Sequence, residues 1–308
     1  MRVILVAIVV VAGACGADDA MGDGDGDGDV DGGVGCDTLP NVSPTWLRGY
    51  QTEVVERLAG AREIAPGVTL SDRSQPSSRA QARDYIAAEL TALGLRAQLH
   101  SYGAGTNPFA FVEANRAAQG TLLLGAHFDS VPGSPGANDN ATGVAMVLAA
   151  ARYLGELECR DHDVIVAFFD EEEIGLVGSA AFAANLDANN TPLVAAHTID
   201  QMGWDQNGDR LIEVELPAPG LLSFYQSAAT AEGLAIPLVE TSTGSTDHSS
   251  FRQRGYSAVG LTEGFVSGDT TPHYHASTDT AATVDFEYLA SSTALLHAAF
   301  GGLVLAPE

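Results

Sequence analysis

A continuous apolar run, T-L-L-L-G-A at 121–126, constrains the fold of this chain more than any other segment. Such a run is typical of a strand buried on both faces of a sheet. Around it, helical and strand-like segments alternate along the chain. This alternation predicts an α/β fold with a mainly parallel mixed sheet and helices on both faces. The predicted helices span 46–61, 77–94, 141–154, 175–186, 219–232 and 284–303, and the other predicted strands span 95–102, 109–116, 163–169, 193–199 and 256–261.

Histidines and carboxylates follow the predicted strands where each strand ends. His127, Glu173 and Asp200 each come within a few residues of the end of an apolar run. In parallel sheets, ligands bind at the carboxyl ends of the strands. Two further candidates lie in polar segments, Asp139 in G-A-N-D-N-A-T-G and His275 in H-Y-H-A-S-T-D-T. We therefore expect these five side chains to meet at one edge of the sheet.

The five side chains form the ligand set that a pair of zinc ions needs. Imidazole and carboxylate both suit zinc, and no cysteine lies close to them in the sequence. Asp139 is the predicted bridge between the two ions. His127 and Asp200 complete the ligands of one ion, and Glu173 and His275 complete those of the other. The predicted cofactor is therefore two zinc ions per chain. Each ion keeps the open position that catalysis requires.

Two more carboxylates have predicted catalytic roles. Glu172 stands beside Glu173, and adjacent side chains diverge, so one can bind metal while the other faces the bridging water. Glu172 is the predicted general base, which takes and returns the proton of that water. Asp129 lies two residues after His127 and points the same way, so we expect it to orient the imidazole. Taken alone, each carboxylate could instead cap a helix or lie in a solvated turn.

The charge of the chain excludes several classes of function. A formal net charge of −26 argues against partners such as nucleic acids or anionic membranes. All 14 basic residues are arginines. The absence of lysine excludes Schiff-base chemistry, pyridoxal enzymes and a Walker-type phosphate loop, each of which needs a lysine.

The N-terminal region predicts export. Residues 1–15 contain twelve apolar residues, too few to span a bilayer, and resemble a lipoprotein signal in which Cys15 is lipidated. Simple secretion and a buried N-terminal strand are the alternatives. Residues 16–44 are rich in glycine and aspartate and predict a solvated tether. The D-G-D-G-D-G string from Asp23 also suggests a calcium loop, but the twelfth position of that loop is Val34 rather than the glutamate that calcium requires.

Two cysteines remain after Cys15 is set aside. Cys36 and Cys159 form an even pair in a chain predicted to be exported, where disulfides persist. A disulfide would tie the end of the tether to the domain. Two unpaired thiols are the alternative, because sequence spacing does not establish proximity.

Five motifs together point to a family. They are G-A-H-F-D-S-V, G-A-N-D-N-A-T-G, D-E-E-E-I-G-L-V-G-S, S-T-D-H-S-S-F-R-Q-R-G-Y and Y-H-A-S-T-D-T. The chain resembles the bridged di-zinc aminopeptidases, metallopeptidase family twenty-eight, over residues 40–305. The resemblance implies a zinc exopeptidase domain at 45–308, a phosphorylase/hydrolase-like α/β/α sandwich. It also implies that the five residues above are metal ligands, that Glu172 is the base, and that the Asp139–Asn140 peptide bond is cis.

The chain departs from the family at two places. Several members have a tyrosine near the T-D-H-S-S-F segment that stabilises the oxyanion, and Thr243 and His248 are nearest that role here. His248 is either the hydrogen-bond donor to the developing negative charge or a support for its loop. The D-Q-N-G-D segment at 205–209 is either a calcium site or a tight polar turn.

The predicted function is removal of the N-terminal residue from peptides by an exported, cell-envelope or extracellular aminopeptidase. A site rich in carboxylates suits a free α-ammonium group. A carboxypeptidase or dipeptidase is an alternative, since Arg252 and Arg254 could bind a terminal carboxylate. A non-catalytic surface lipoprotein with the same fold is the alternative from another class. The sequence does not indicate the preferred first residue or the oligomeric state.

Overall fold

The computed structural model of the chain describes residue 36 and residues 38–304. The signal segment 1–15 with Cys15 and the calcium-loop hypothesis at Asp23 lie outside the described residues, as does most of the tether 16–44. None of the helices within the described ranges combines the length and apolar character that crossing a bilayer requires.

Eight strands and seven α-helices make up the described part of the chain. The strands are β1 (Gln98–Tyr102), β2 (Gly105–Val112), β3 (Gly120–His127), β4 (His162–Phe169), β5 (Ala195–Ile199), β6 (Ile212–Glu215), β7 (Leu238–Thr241) and β8 (Ala258–Glu263). The helices are α1 (Leu47–Leu58), α2 (Pro76–Ala92), α3 (Thr142–Gly155), α4 (Val177–Ala188), α5 (Leu221–Ala231), α6 (His248–Gln253) and α7 (Phe286–Val304). Short helical turns span Ala137–Ala141 and Ala281–Thr283.

The strands form one mixed sheet in the order β1-β2-β4-β3-β5-β8-β6-β7. The four central strands, β4, β3, β5 and β8, run parallel. On one side of these four strands, β2 pairs antiparallel with β4. On the other side, β6 pairs antiparallel with β8. The prediction of a mainly parallel mixed sheet is therefore confirmed.

Side chains of the central strands alternate between two buried layers, because successive residues of a strand point to opposite faces. Leu122 and Leu124 of β3 pack in the larger core with α1, α2, α3, α5 and α7. Leu123 packs in the smaller core with Phe182 of α4 and Phe251 of α6. Helices thus cover both faces, which explains why residues 122–126 carry no polar side chain.

Three short elements were not predicted from the sequence. They are β6, β7 and α6, which have four, four and six residues. Segments this short show too few repeats for a period of 2.0 or 3.6 residues to be recognised. β6 and β7 form only because the edge of β8 pairs with β6, which in turn pairs with β7.

The N-terminal end of the described chain is attached to the domain. Cys36 and Cys159 form a disulfide with their Cα atoms 5.6 Å apart, which decides between the two alternatives for this pair. Val42 is buried, and its carbonyl oxygen accepts a hydrogen bond from Nδ1 of His297 at 2.7 Å. Packing therefore begins before residue 45, within the segment assigned to the tether.

Candidate metal centre

His127 lies at the carboxyl end of β3, beside two carboxylates. Its Nε2 atom is 3.3 Å from Oδ1 of Asp139 and 3.2 Å from Oδ1 of Asp200. Asp200 directly follows β5, the neighbour of β3 in the sheet. The predicted convergence of strand ends thus brings these three side chains together.

A second group forms on the other side of Asp139. Nε2 of His275 is 3.3 Å from Oδ2 of Asp139 and 3.1 Å from Oε2 of Glu173. In each of the two groups, ligand atoms lie within 4.8 Å of one another. Asp139 belongs to both groups and turns one carboxylate oxygen towards each, which is the arrangement expected of a bridging ligand.

The bridging position is held by a tight buried turn, Ala137–Ala141, in which the Asp139–Asn140 peptide bond is cis, as the resemblance implies. The backbone N–H groups of Asn138 and Asp139 donate to the two oxygens of Asp279 at 2.8 and 3.1 Å. Sequence reasoning missed Asp279, although it lies in the same Y-H-A-S-T-D-T motif as His275. Asp279 joins the turn that holds the bridge to the loop that holds His275.

Asp129 contacts more of the centre than predicted. Its Oδ1 atom is 3.4 Å from Nδ1 of His127, on the side expected for a residue that orients the imidazole. The two carboxylate oxygens also accept the backbone N–H groups of Glu172 and Glu173, at 3.0 and 3.2 Å. Asp129 therefore contacts His127 of the first group, Glu173 of the second group and Glu172, the predicted base.

The electrostatics of the cluster suit bound cations. Burial raises the pKa of Glu172 to about 10, with further contributions from the carboxylates of Asp247 and Asp200. Burial and Asp139 raise the pKa of Glu173 to about 8. Oε1 of Glu173 is buried and has no hydrogen-bond partner among the described residues. Several carboxylates crowded away from water need positive charge to remain ionised, so this donor set fits divalent metal ions.

Residues 110–300 match the family model described as Peptidase family M28. The chain belongs to peptidase family M28.

Several relatives of this M28 chain are named for related activities. It is 29% identical over 187 residues to aminopeptidase YwaD of Bacillus subtilis, a match that covers 58% of this chain and 40% of YwaD. It is 47% identical over 66 residues to the probable lipoprotein aminopeptidase LpqL of Mycobacterium tuberculosis, covering 21% of this chain and 13% of LpqL. The matches thus span less than half the length of these two curated relatives.

Solved structures share the M28 fold. The LapA aminopeptidase of Legionella pneumophila superposes with a TM-score of 0.76 at 18% identity, covering 87% of this chain and 75% of that chain. BSAP, a zinc aminopeptidase from Bacillus subtilis, superposes with a TM-score of 0.72 at 16% identity, covering 87% and 96%. At these identities the likeness establishes the fold.

A cleft of about 220 Å³ opens beside the candidate centre of the M28 domain. Glu172 lines it, together with Thr243 and Tyr274. Sequence reasoning missed Tyr274, whose ring stacks on that of His275 with centroids 3.8 Å apart. Its position directly before His275 is the signal that could have revealed it.

His248 is not among the residues that line this cleft. Its side chain is fully buried at the start of α6, where Nδ1 is 2.8 Å from Oγ1 of Thr246. Burial lowers the pKa of His248 to about 4, so the imidazole is neutral. These contacts favour the loop-support interpretation, and the oxyanion role of His248 stays a prediction.

The D-Q-N-G-D segment forms a turn whose backbone N–H groups donate to carboxylate and amide side chains. Oδ1 of Asn207 accepts the N–H of Asp209 at 2.9 Å. Asp269, from the loop after β8, accepts the N–H groups of Gln206 and Asn207 at 2.8 and 3.2 Å. Because backbone donors occupy these oxygens, the contacts favour the polar turn over the calcium site.

Proposed function

We propose that this chain is an exported aminopeptidase that uses two zinc ions to hydrolyse the N-terminal peptide bond of peptides. The observation that carries the proposal is the pair of ligand groups that share Asp139. The M28 membership and the activities named for relatives such as YwaD support it.

The two groups divide the proposed ions between them. His127 and Asp200 would hold one ion, Glu173 and His275 the other, and Asp139 both. Bound zinc supplies Lewis-acid polarisation of the scissile carbonyl and lowers the pKa of a water molecule towards neutrality.

The residues around the cleft supply proton transfer and charge stabilisation. Glu172 takes a proton from the attacking water and returns it to the nitrogen of the leaving amine, so the proton balance closes. Burial raises the pKa of Tyr274, so its phenol stays protonated. We assign Tyr274, ahead of His248, as the donor to the carbonyl oxygen as negative charge develops there.

Cleavage at the amino end is favoured over cleavage at the carboxyl end. Five carboxylates and no arginine are among the residues that line the cleft, so it suits a free α-ammonium better than a terminal carboxylate. The arginines that a carboxypeptidase would use are engaged elsewhere. Arg252 donates to the carbonyl oxygen of Leu216 at 2.6 Å, and Arg254 pairs with Asp187 at 3.4 Å.

Aminoacyl anilides, N-blocked peptides and metal analysis test the proposal together. We expect hydrolysis of the unblocked reporters only, close to two zinc ions per chain, and a loss of about 10²–10⁴-fold in kcat for Glu172→Gln. Cleavage of only the blocked peptides would favour a carboxypeptidase. Protein without zinc or activity, purified in the absence of chelators, would favour a non-catalytic lipoprotein.

We further propose that Cys15 carries a lipid anchor. The apolar segment before it and the relative named as a probable lipoprotein support this. Mass spectrometry of the N-terminal peptide from membrane and soluble fractions tests it. A signal peptide cleaved without acylation of Cys15 would instead indicate simple secretion.

A further inference from the structure

We infer that Glu215 makes the cleft selective for substrates whose first side chain is cationic, lysine or arginine. This inference rests on the proposed aminopeptidase function and names its substrate class.

The cleft contains side chains that the proposed reaction does not use. Its volume of about 220 Å³ lies below the range of about 300–1,000 Å³ typical of pockets for drug-sized ligands, so it suits a single side chain. Phe265 and Val266 add apolar surface that can contact a long aliphatic stem. The remaining lining is polar and consists of Gln201, Glu215, Thr243, Ser245, Thr246 and Thr262.

Glu215 is the charged group of this polar lining outside the candidate metal centre. It ends β6 and is 2% exposed. Its Oε2 atom accepts a hydrogen bond from Oγ1 of Thr246 at 2.7 Å. Its Oε1 atom accepts no hydrogen bond from a side chain of the described residues. One oxygen is therefore anchored by Thr246, the other has no side-chain donor, and the residue lines the cleft.

A glycine in the sheet makes room for this carboxylate. Gly260 of β8 pairs with Glu215 across the antiparallel ladder. A Cβ atom added at Gly260 would collide with Oε2 of Glu215 and Nδ1 of His248. The bare backbone at this position thus allows a buried carboxylate to lie against the sheet.

Glu215 lacks a positive partner within the described structure. The nearest basic group is His248, with Nδ1 3.6 Å from Oε2, and that imidazole is neutral because its pKa is lowered to about 4. Burial raises the pKa of Glu215 to about 8, although the Thr246 hydrogen bond opposes the rise. An ammonium or guanidinium from the substrate would supply the missing counter-charge and favour the ionised carboxylate.

Matched pairs of reporters test the inference on the wild-type protein. Lysyl and norleucyl anilides differ in charge at similar length, as do arginyl and citrullyl anilides. At a pH about one unit above the pKa of Glu215, we expect kcat/KM to favour the cationic member of each pair by about tenfold or more. Equal or better cleavage of the neutral members would overturn the inference while leaving the aminopeptidase proposal intact. Cleavage of no reporter by zinc-loaded protein would contradict the proposed function itself.

A charge-neutral variant assigns the preference to Glu215. Glu215→Gln should bring the lysyl-to-norleucyl ratio of kcat/KM close to one. Glu240→Gln removes an exposed carboxylate from β7 and should keep the wild-type ratio. If Glu215→Gln lowers cleavage of all reporters equally, the carboxylate serves the α-ammonium or the fold, and the inference fails.

Discussion

At the residue scale, the candidate centre depends on carboxylates that need not touch a metal. Asp129 shows this, because its two oxygens hold the backbone of Glu172 and Glu173 while Oδ1 faces His127. Asp279 holds the turn of Asp139 in the same way. Replacing such a group shifts several ligands together.

Asp129→Asn should therefore weaken the metal centre without unfolding the protein. The amide keeps one acceptor but turns an NH₂ group towards a backbone N–H or the imidazole. We expect zinc affinity to fall by about 10–100-fold, measured by competition with a chelator, together with a lower kcat. Asp84→Asn, at an exposed site on α2, is the control. Unchanged zinc affinity would show that the backbone holds Glu172 and Glu173 unaided.

His297, a buried histidine of α7, should make the unfolding free energy depend on pH. His297 stacks on Tyr153 with ring centroids 4.2 Å apart, and burial lowers its pKa to about 4. Between the ordinary pKa of 6.5 and this value, the unfolded chain binds a proton at His297 that the folded chain does not. The contribution of this residue to stability is present above that window and is lost as the pH falls through it.

Comparison with His297→Phe isolates this contribution. The difference in unfolding free energy between wild type and variant should shrink by up to about 3 kcal/mol as the pH falls through the window. Urea denaturation at a series of pH values measures it. A difference that does not vary across this window would mean that His297 binds a proton equally in the folded and the unfolded chain.

At the element scale, α2 controls the segment that carries the predicted base. Arg79 of α2 is buried, with Nε 2.6 Å from Oδ1 of Asp170 and Nη2 2.9 Å from Oε1 of Glu171. These two acidic residues directly precede Glu172 and Glu173 in the D-E-E-E run. The helix thus fixes the start of the loop after β4, although α2 contributes no candidate ligand.

Arg79→Gln should destabilise the protein and lower its activity. Removing the cation leaves two buried carboxylates uncompensated, so we expect a loss of about 3–5 kcal/mol in unfolding free energy and a lower kcat at temperatures where the variant is folded. Arg83→Gln, which breaks the pair with Asp84 on the same helix, should change stability by less than about 1 kcal/mol. Equal effects of the two variants would contradict the proposed role of Arg79.

At the scale of the whole molecule, the disulfide and the candidate centre lie at opposite ends of the sheet. Cys159 precedes β4, whereas the D-E-E-E run follows it, and the strand between them has eight residues. At a rise of about 3.3 Å per residue, the strand separates the two ends by about 26 Å. Stability and catalysis should therefore respond separately to loss of the disulfide.

The double variant Cys36→Ser, Cys159→Ser tests this separation. The disulfide links residues 123 apart in sequence, and the chain-entropy model predicts a loss of about 4–5 kcal/mol in unfolding free energy. The kcat at low temperature should stay at the wild-type value, and reduced wild-type protein should unfold like the variant. A lower kcat in the folded variant would show that the two ends are coupled.

The sheet class and the candidate ligands could be predicted from local sequence patterns. Buried parallel strands need continuous apolar runs, and residues such as His127 and Asp200 are recognisable because they end those runs. Both signals are local, so they can be read without knowing which strands are neighbours.

The contacts between distant segments could not be predicted in this way. Asp129 reaches the loop after β4, Arg79 reaches it from α2, and Glu215 enters the cleft from a strand too short to predict. Such contacts join segments distant in sequence, and their energies depend on burial and on partners that exist only after the sheet and helices have packed.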